Sequence, residues 1–465
     1  MWEKISIASL ALLGFLLGAV VVTFNLPTSG FFQEAKLAWD SLQSMQGDQK
    51  LAQGLRYYLG QFASFSSKGP DHPHVLSQQS APGSEEELIL VSGGPYEMTD
   101  RCPPLGCMAW LTDRQGEVKH VWKMDPDLWR DLKKVTGFKS PRHIVPMGIE
   151  MAENGDLLVA FQGRGTFPFA VGFARFDKDG NLLWKQEGYN HHWFSRDEAG
   201  QIYVPAMRIE EAPYQLPGFQ AKLSCEKKKI MLDQIQVLSP EGKLLKTIDL
   251  AEVLLNSDYV GLIGSECDPL HLNDVRVLTQ DMAKYFPMFK AGDLLISMAH
   301  NQSVAVIDPE AMKVRWISSG RVMYQHSPRF SRDGTIWVFD NQGGPKKWGG
   351  SRVVRMDPGS GEMTTLFPKS DTPEDLLFRT SVAGQINLSA DEQRMLVALY
   401  QRAKIYELDT RSGKVLWSYH KKHDVSAYLE EEKISSGHRI ANFFTTGAYY
   451  VPKVGFAMNG GSLKP

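Results

Sequence analysis

One hairpin motif recurs six times in the chain and restricts the possible folds more than any other feature. Each copy begins with an apolar residue followed directly, or in the first copy after one Thr, by Asp or Ser, passes through a short turn that usually contains Gly, and often ends in Trp. This pattern is typical of two short strands joined by a tight turn. The copies start roughly 50–70 residues apart, which suits one four-stranded propeller blade per repeat. They occupy residues 111–122, 176–184, 238–246, 307–316, 356–363 and 408–417.

A second motif, a turn followed by a run of apolar residues, precedes most copies of the first. Its five clear copies occupy residues 152–161, 197–206, 290–299, 331–340 and 390–399. The segment 438–451 is expected to supply the sixth copy and to close the ring against the first blade, which removes free sheet edges. We therefore predict an all-β, six-bladed β-propeller. A ring of seven or eight blades with degenerate copies, or two stacked sandwiches, are the alternatives.

The N-terminus contains twenty residues without a charge, from Ile5 to Phe24. At ~1.5 Å per residue, a helix of this length spans the ~30 Å core of a bilayer. A cleaved signal peptide is the alternative, but its apolar region is shorter and it ends in a small-residue cleavage site. We predict a transmembrane anchor over 1–26, a helical segment and polar linker over 27–84, and the propeller over 85–465.

The charge and the cysteines restrict the partners and the compartment. The net charge is −2, so nucleic acid is not expected as a partner. Cys102 and Cys107 are predicted to form a small disulfide loop, and Cys225 and Cys267 a second bridge between two insertions. Four unpaired thiols are the alternative. Disulfides favour an extracytoplasmic propeller, so we predict a single-pass protein of the bacterial inner membrane that faces the periplasm.

Two histidines occupy the same position of the second motif in different repeats. His192 lies eight residues before the turn Gly200, and His326 lies eight residues before Gly334. The strand that leads into this turn is the inner strand of a blade, so its first residues lie at one mouth of the central channel. His271 is on the same type of strand in the repeat between them. The three imidazoles are therefore expected to converge on the axis.

The chemistry of this cluster admits several readings. Imidazole serves as base, acid, nucleophile or metal ligand near neutral pH. Three converging histidines could bind a metal, or each could simply satisfy buried backbone groups. Asn273 is on the strand of His271, and Gln385 shares the register of His192 and His326. Other histidines, among them His120 and His423, are predicted to lie on the surface.

Four segments in order resemble the bacterial PAPS-independent arylsulfotransferase family. They are NHHWFSRDEAG, DPLHLNDVRVL, GDLLISMAHNQSVAVIDP and YQHSPRFSRDGTIWVFDN, and the resemblance covers roughly residues 85–420. It implies a six-bladed periplasmic propeller that transfers a sulfuryl group from an aryl sulfate to a phenolic acceptor through a transiently sulfated histidine. It implies no cofactor and no metal.

The resemblance also implies roles for individual residues. His326 would be the nucleophile, while His192 (or its neighbour His191) and His271 would act as charge-stabilising or acid–base groups. Asn273 would hold a sulfate oxygen. With His191 and Gln385 it makes up the predicted substrate-binding set.

The sequence departs from the family pattern at four polar positions. Ala299 stands where the family has an Arg, the residue best suited to bind sulfate oxygens. Trp193 and Ser327 stand where the family has Asp, and Ala398 stands where it has Thr. His300 follows Ala299, but on a strand it should point the other way. Arg208 and Arg329 are candidates for the missing charge.

These departures leave a second function open. The chain could be a catalytically inactive, membrane-tethered propeller that binds a ligand or an envelope protein. The insertions 209–234 and 252–270 would then be the natural contact loops.

Overall fold

The repeated hairpins build six antiparallel sheets, five of four strands and one of five, each of which is one blade of a propeller. The computed structural model describes residues 87–459 apart from 139, 265, 345–349, 425, 427–429, 431–439 and 452–453, together with the backbone of two short strands at 63–66 and 74–77. The prediction of an all-β, six-bladed propeller is confirmed.

Five blades are built from consecutive strands, which run in order from the channel to the rim. Blade 2 contains β6 (Ile144–Met151), β7 (Leu157–Gly163), β8 (Ala170–Phe176) and β9 (Leu182–Gln186). Blade 3 contains β10 (Ser195–Arg196), β11 (Ile202–Glu211), β14 (Lys229–Leu238) and β15 (Leu244–Asp249), and blade 4 contains β16 (Leu272–Val277), β17 (Leu294–Met298), β18 (Ser303–Asp308) and β19 (Lys313–Ser319). Blade 5 contains β20 (His326–Phe330), β21 (Ile336–Asp340), β22 (Arg352–Met356) and β23 (Met363–Phe367), and blade 6 contains β24 (Gln385–Leu388), β25 (Arg394–Leu399), β26 (Lys404–Asp409) and β27 (Val415–His420).

Blade 1 closes the ring with strands from both ends of the propeller. Its order from the channel outward is β30 (Ala448–Val451), β3 (Leu88–Ser92), β4 (Cys107–Thr112) and β5 (Val118–Lys123). The innermost strand therefore comes from the C-terminal segment and pairs antiparallel with β3. This is the closure expected from residues 438–451, and it leaves the first blade without an open inner edge.

The Asp/Gly turns of the first motif join the third and fourth strands of each blade. In blade 2, Asp177 Oδ1 accepts hydrogen bonds from the backbone N–H groups of Asp179 and Asn181 at 2.9 and 2.8 Å. Gly180 has φ of 87°, a left-handed conformation that glycine adopts without steric cost. The residue types of the motif are thus those that the turn geometry requires.

Large apolar side chains fill the spaces between adjacent blades. Trp122 of blade 1 and Phe161 and Phe176 of blade 2 belong to one cluster and are almost completely buried. Phe339 of blade 5 and Val397 of blade 6 belong to another such cluster. At ~25 cal/mol per Å² of apolar surface buried, these contacts are a main source of the ring's stability.

Several shorter elements lie outside the blades. They are the strands β1 (Ala63–Ser66), β2 (His74–Ser77), β12 (Tyr214–Gln215), β13 (Lys222–Leu223), β28 (Lys422–Asp424) and β29 (Ile440–Phe443), the α-helices α1 (Leu250–Leu255) and α2 (Gln280–Ala283), and the 3-10 helices Pro141–His143, Val260–Leu262, Glu374–Leu376 and Tyr400–Arg402. β2 pairs with β27 at the rim of blade 6, and β1 pairs with β29.

The start of the compact unit differs from the expected domain boundary at residue 85. The unit that contains the propeller begins at Phe62, and β1 and β2 fall in the stretch expected to be a polar linker. A polar sequence can still add a strand to a sheet edge, because the ladder uses backbone groups. Among the residues that the structure describes, no helix is long and apolar enough to cross a bilayer. The predicted anchor and most of segment 27–84 lie outside those residues.

Both predicted disulfides are present. Cys102 is bonded to Cys107 within blade 1, and Cys225 is bonded to Cys267. The second bridge joins the loop between β11 and β14 to the segment that leads into β16. Insertion 209–234 is therefore largely an extension of the β11–β14 hairpin rather than an irregular loop.

Candidate functional site

The predicted site histidines lie where the inner strands of three neighbouring blades begin. His192 precedes β10 of blade 3, His271 directly precedes β16 of blade 4, and His326 is the first residue of β20 of blade 5. His192 and His271 have left-handed backbones, with φ of 56° and 54°. Such a conformation costs a non-glycine residue of the order of 1 kcal/mol and is common at functional sites.

His192 is at the centre of a group of aromatic rings. Its ring centre lies 5.1 Å from that of His271, and its Nδ1 lies 2.7 Å from Nδ1 of His191. Phe169, from the loop between β7 and β8, packs against all three imidazoles with ring centres 5.4–5.7 Å away. Blades 2, 3 and 4 thus each contribute a ring to one cluster.

Asp268 organises the part of the cluster that faces solvent. His271 Nδ1 is 2.6 Å from Asp268 Oδ2, and His300 Nδ1 is 2.7 Å from the backbone oxygen of Asp268. The rings of His271 and His300 stack at 4.5 Å with an angle of 21°. Each Nδ1 faces an acceptor and so carries the proton, which leaves Nε2 for a ligand or, on His271, for a second proton.

The expectation that His300 points away from the site is wrong. The alternation of side chains applies within a strand, but β17 ends at Met298. Ala299 and His300 already belong to the turn that follows, and their backbone N–H groups donate to His271 and Leu270. This turn rotates the imidazole of His300 onto His271.

Electrostatics divide the imidazoles into neutral and cationic groups. Burial lowers the pKa of His191 to about 3 and holds the pKa of His192 well below its usual range. Desolvation of His271, which is half-buried, would lower its pKa as well, but the carboxylate of Asp268 outweighs that effect and raises the pKa of His271. Burial of Asp268 is likewise outweighed by His271, so its pKa is lowered. One cationic imidazole therefore lies beside a neutral one.

His326 and His192 pack against the same indole. The ring of Trp193 contacts His192 at 5.6 Å and His326 at 5.7 Å between ring centres. His326 Nδ1 is 2.8 Å from both the backbone oxygen of Tyr324 and Asn341 Oδ1. Its Nε2 therefore holds the lone pair, and accepts a hydrogen bond from the Ala383 backbone N–H at 3.3 Å. Burial lowers the pKa of His326 to about 3.

The residues predicted to bind substrate are buried and take part in structural hydrogen bonds. Asn273 Nδ2 donates to the backbone oxygen of Gln325, while its Oδ1 has no partner among the described residues. Gln385 joins two inner strands, since Nε2 donates to Ile386 O and Oε1 accepts from Ala448 N–H. His191 Nε2 lies 3.9 Å from Asp233 Oδ1. These side chains align the strands around the channel.

Four further sequence expectations concern charge and exposure. Arg208 does not reach the cluster, because its guanidinium pairs with Asp249, and Arg329 pairs with Asp274 further along the channel. His120 and His423, expected on the surface, are buried. His120 bonds the Lys178 backbone oxygen from between blades 1 and 2, because an outer strand still packs one face against the next blade.

The donor atoms of Asp268, His271 and His300 lie within 4.8 Å of one another and could hold a metal ion. In this arrangement the Asp268 carboxylate bonds His271 Nδ1 and the Asp268 backbone oxygen bonds His300 Nδ1 instead, which is the outer-shell pattern that orients imidazoles. The sequence motifs do not single out Phe169 or Asp268, and they name His300 only as a residue that faces away. Of these only Asp268 has a usable signal, its position three residues before His271.

Comparisons with known proteins follow the fold and the site. No curated protein matches the chain. Among solved structures, one of a protein of unknown function from Bacteroides caccae has 11% identity and a TM-score of 0.45, covering 79% of this chain and 99% of that one. Virginiamycin B lyase from Staphylococcus aureus has 12% identity and a TM-score of 0.31, covering 58% and 83%. A family model described as Arylsulfotransferase (ASST) matches residues 148–422, more than half of the chain, which therefore belongs to the arylsulfotransferase family.

Proposed function

We propose that the protein transfers a sulfuryl group from an aryl sulfate to a phenolic acceptor through a transient sulfohistidine. One arrangement supports this most directly: His271, whose pKa the Asp268 carboxylate raises, lies with its ring centre 5.1 Å from that of His192, whose pKa burial holds well below its usual range. Attack on sulfur needs a neutral nitrogen with a lone pair, and the three oxygens of the transferring group need positive charge or N–H donors. The site contains both.

His326 is the nucleophile in this proposal. Its two acceptors at Nδ1 fix the tautomer, so Nε2 presents the lone pair. The hydrogen bond that Nε2 accepts from Ala383 is long, at 3.3 Å, and is given up at little cost when substrate binds. Burial keeps the ring neutral at physiological pH.

The remaining imidazoles stabilise charge and move the proton. His271, held cationic by Asp268, and His300, stacked on it, face the sulfuryl oxygens in place of the absent Arg. His192, neutral and between His271 and Trp193, takes the proton of the acceptor phenol.

The two half-reactions balance. In the first, Nε2 attacks sulfur, the S–O bond to the aryl group breaks, and the phenolate leaves and takes a proton from solvent. In the second, the acceptor oxygen loses its proton to His192, which returns it to solvent, and attacks the same sulfur. The N–S bond then breaks, and the lone pair returns to Nε2 of a neutral His326.

Turnover of a chromogenic aryl sulfate with a phenol tests the proposal. We expect His326→Ala to abolish turnover and His300→Ala to reduce kcat by ~10²–10³, the usual loss of one charge-stabilising donor. His192 is changed to Asn instead of Ala, because Asn tolerates the left-handed backbone at this position.

His420→Ala, at the rim of blade 6, is the control and should turn over like the wild type. Equally slow phenol release by the wild type and His326→Ala would reject the enzyme. It would favour the non-catalytic propeller that binds a ligand or an envelope protein. Loss of activity after dialysis against a chelator, restored by one metal, would instead assign the cluster to metal chemistry.

The proposed location is the periplasmic face of a bacterial inner membrane, with residues 5–24 as an uncleaved anchor. Two disulfides support an oxidising compartment, because cytosolic thiols are kept reduced. Protease added to spheroplasts should degrade the propeller of the full-length chain, which should also sediment with membranes. Protection from protease, or a processed soluble chain, would contradict this placement.

A further inference from the structure

The indole of Trp193 crosses the channel at the level where the inner strands begin. Its ring is buried and packs with Met147 of blade 2 and Ala383, which precedes blade 6. Its Nε1–H donates to the backbone oxygen of Thr446, at 3.0 Å, next to blade 1. The histidine cluster is therefore separated by an apolar layer from residues further along the same strands.

A second group of polar side chains converges beyond this layer. Arg276 is five residues after His271 on β16, and Arg329 is three residues after His326 on β20, which places them roughly 16 and 10 Å further along at ~3.3 Å per residue. Both pair with Asp274, because Arg276 Nη2 and Arg329 Nη1 each donate to its Oδ2 at 3.1 Å.

Tyr449 of blade 1 is half-buried against the core between blades 1 and 2 and senses the charges of these arginines. Burial raises the pKa of Tyr449 to about 12, and the nearby charges of Arg276 and Arg329 oppose that rise. Blades 1 and 4 lie opposite each other in the ring of six blades, so their inner strands approach one another only across the axial channel. Arg276 and Arg329 therefore lie beside the channel axis.

Arg329 retains donor capacity that the protein does not use. The residue is only 8% exposed, and its Nη2 is buried without a hydrogen-bond acceptor among the described residues. A buried charged donor without an acceptor costs a few kcal/mol, so native structures seldom leave one unmet.

The charge balance of this part of the channel is positive. The groups that these contacts place there are three cations and two anions, Arg196, Arg276, Arg329, Asp274 and Glu150. Glu150 pairs with Arg196, and Asp274 is shared between the other two arginines. One positive charge is therefore left over, next to the unused Nη2.

We propose that Arg276 and Arg329 form a binding site for a small inorganic oxyanion of the sulfate or phosphate type, separated from the histidine cluster by Trp193. A tetrahedral oxyanion accepts from guanidinium forks in the geometry that Arg prefers. It would satisfy the buried Nη2 and neutralise the remaining charge. The site does not depend on the proposed sulfuryl transfer.

Crystals of the full chain soaked in selenate test the site directly. Selenate replaces sulfate and is located by its anomalous signal. We expect a peak within hydrogen-bond distance of Arg329 Nη2, on the far side of Trp193 from His192. A peak only at the histidine cluster, or none, would overturn the proposal.

Calorimetric titration with sulfate, phosphate and chloride at constant ionic strength provides the second test. Arg329→Lys keeps a positive charge beside Asp274 but loses the paired N–H donors of the guanidinium. It should weaken oxyanion binding by about tenfold or more. The matched control is Arg352→Lys, whose partner Asp340 lies in blade 5 away from the channel. Equal affinity for the wild type and Arg329→Lys would contradict the site, whereas His271→Asn should leave it intact.

Discussion

At the scale of single residues, the imidazoles of the site differ in charge because each has a different second partner. His271 bonds a carboxylate and is favoured as a cation, whereas His326 bonds two neutral oxygens in a dry environment and stays neutral. The number of residues between each histidine and the turn that follows it predicts which position of the blade the histidine occupies. It does not predict the partners, because Asp268 and Asn341 come from loops and neighbouring strands. The expected direction of the His300 side chain was wrong because the sequence does not show where β17 ends.

The Asp268–His271 pair predicts a pH dependence. The folded-state pKa of His271 is raised, so the cation is retained below that value and is lost as pH rises through it. If turnover needs the cation, kcat/KM should fall with rising pH above about 6.5, the ordinary pKa of His.

Asp268→Asn should move this fall to lower pH, since the partner that retains the proton is gone. It should also reduce stability by about 1–3 kcal/mol near neutral pH, as expected for a buried hydrogen bond to a charged group. A pH–rate profile and denaturant unfolding of both proteins measure these effects. Identical profiles would show that His271 does not act as a cation.

At the scale of elements, the long β11–β14 hairpin and its disulfide support the site. Cys267 directly precedes Asp268, and its backbone oxygen accepts from Met231 N–H of β14 at 2.8 Å. The disulfide at Cys225–Cys267 therefore holds the segment that carries Asp268 against blade 3. The sequence predicts this pairing, but not that the bridge adjoins the partner of His271.

Removal of each disulfide should have a different effect. The Cys225–Cys267 bridge spans 42 residues and the Cys102–Cys107 bridge five. Chain-entropy arguments give roughly 4 and 2 kcal/mol for loops of these lengths. The Cys225→Ser/Cys267→Ser variant should therefore lose more stability, and also turnover, because Asp268 is no longer held.

The Cys102→Ser/Cys107→Ser variant is the matched control, and unfolding curves and chromogenic turnover are measured for both. If the two variants lost turnover equally, the bridge at Cys267 would have no special relation to the site.

At the scale of the whole molecule, ring closure was predictable and the first strands were not. Six copies of one motif and a final apolar segment are sufficient to predict a closed six-bladed ring, since an open edge in blade 1 would be exposed. β1 and β2 carry no apolar alternation that separates them from a linker. Their sheet pairing uses backbone groups that a sequence pattern does not show.

Closure by β30 should be essential for a soluble monomer. Deletion of residues 448–465 removes the innermost strand of blade 1 and exposes the inner edge of β3. We expect aggregation and loss of a single cooperative transition, measured by gel filtration and calorimetry. Deletion of only 460–465 is the control. A monomeric, cooperatively unfolding product of the longer deletion would mean that closure contributes little.

In the proposed reaction a channel histidine carries the sulfuryl group. Mass spectrometry of peptides from protein mixed with an aryl sulfate, without acceptor and quenched at high pH, detects this group. We expect one sulfuryl group on the peptide that contains His326, its disappearance when a phenol is added, and its absence in His326→Ala. An unmodified His326 peptide in protein that still releases phenol, or modification only at another residue, would contradict it.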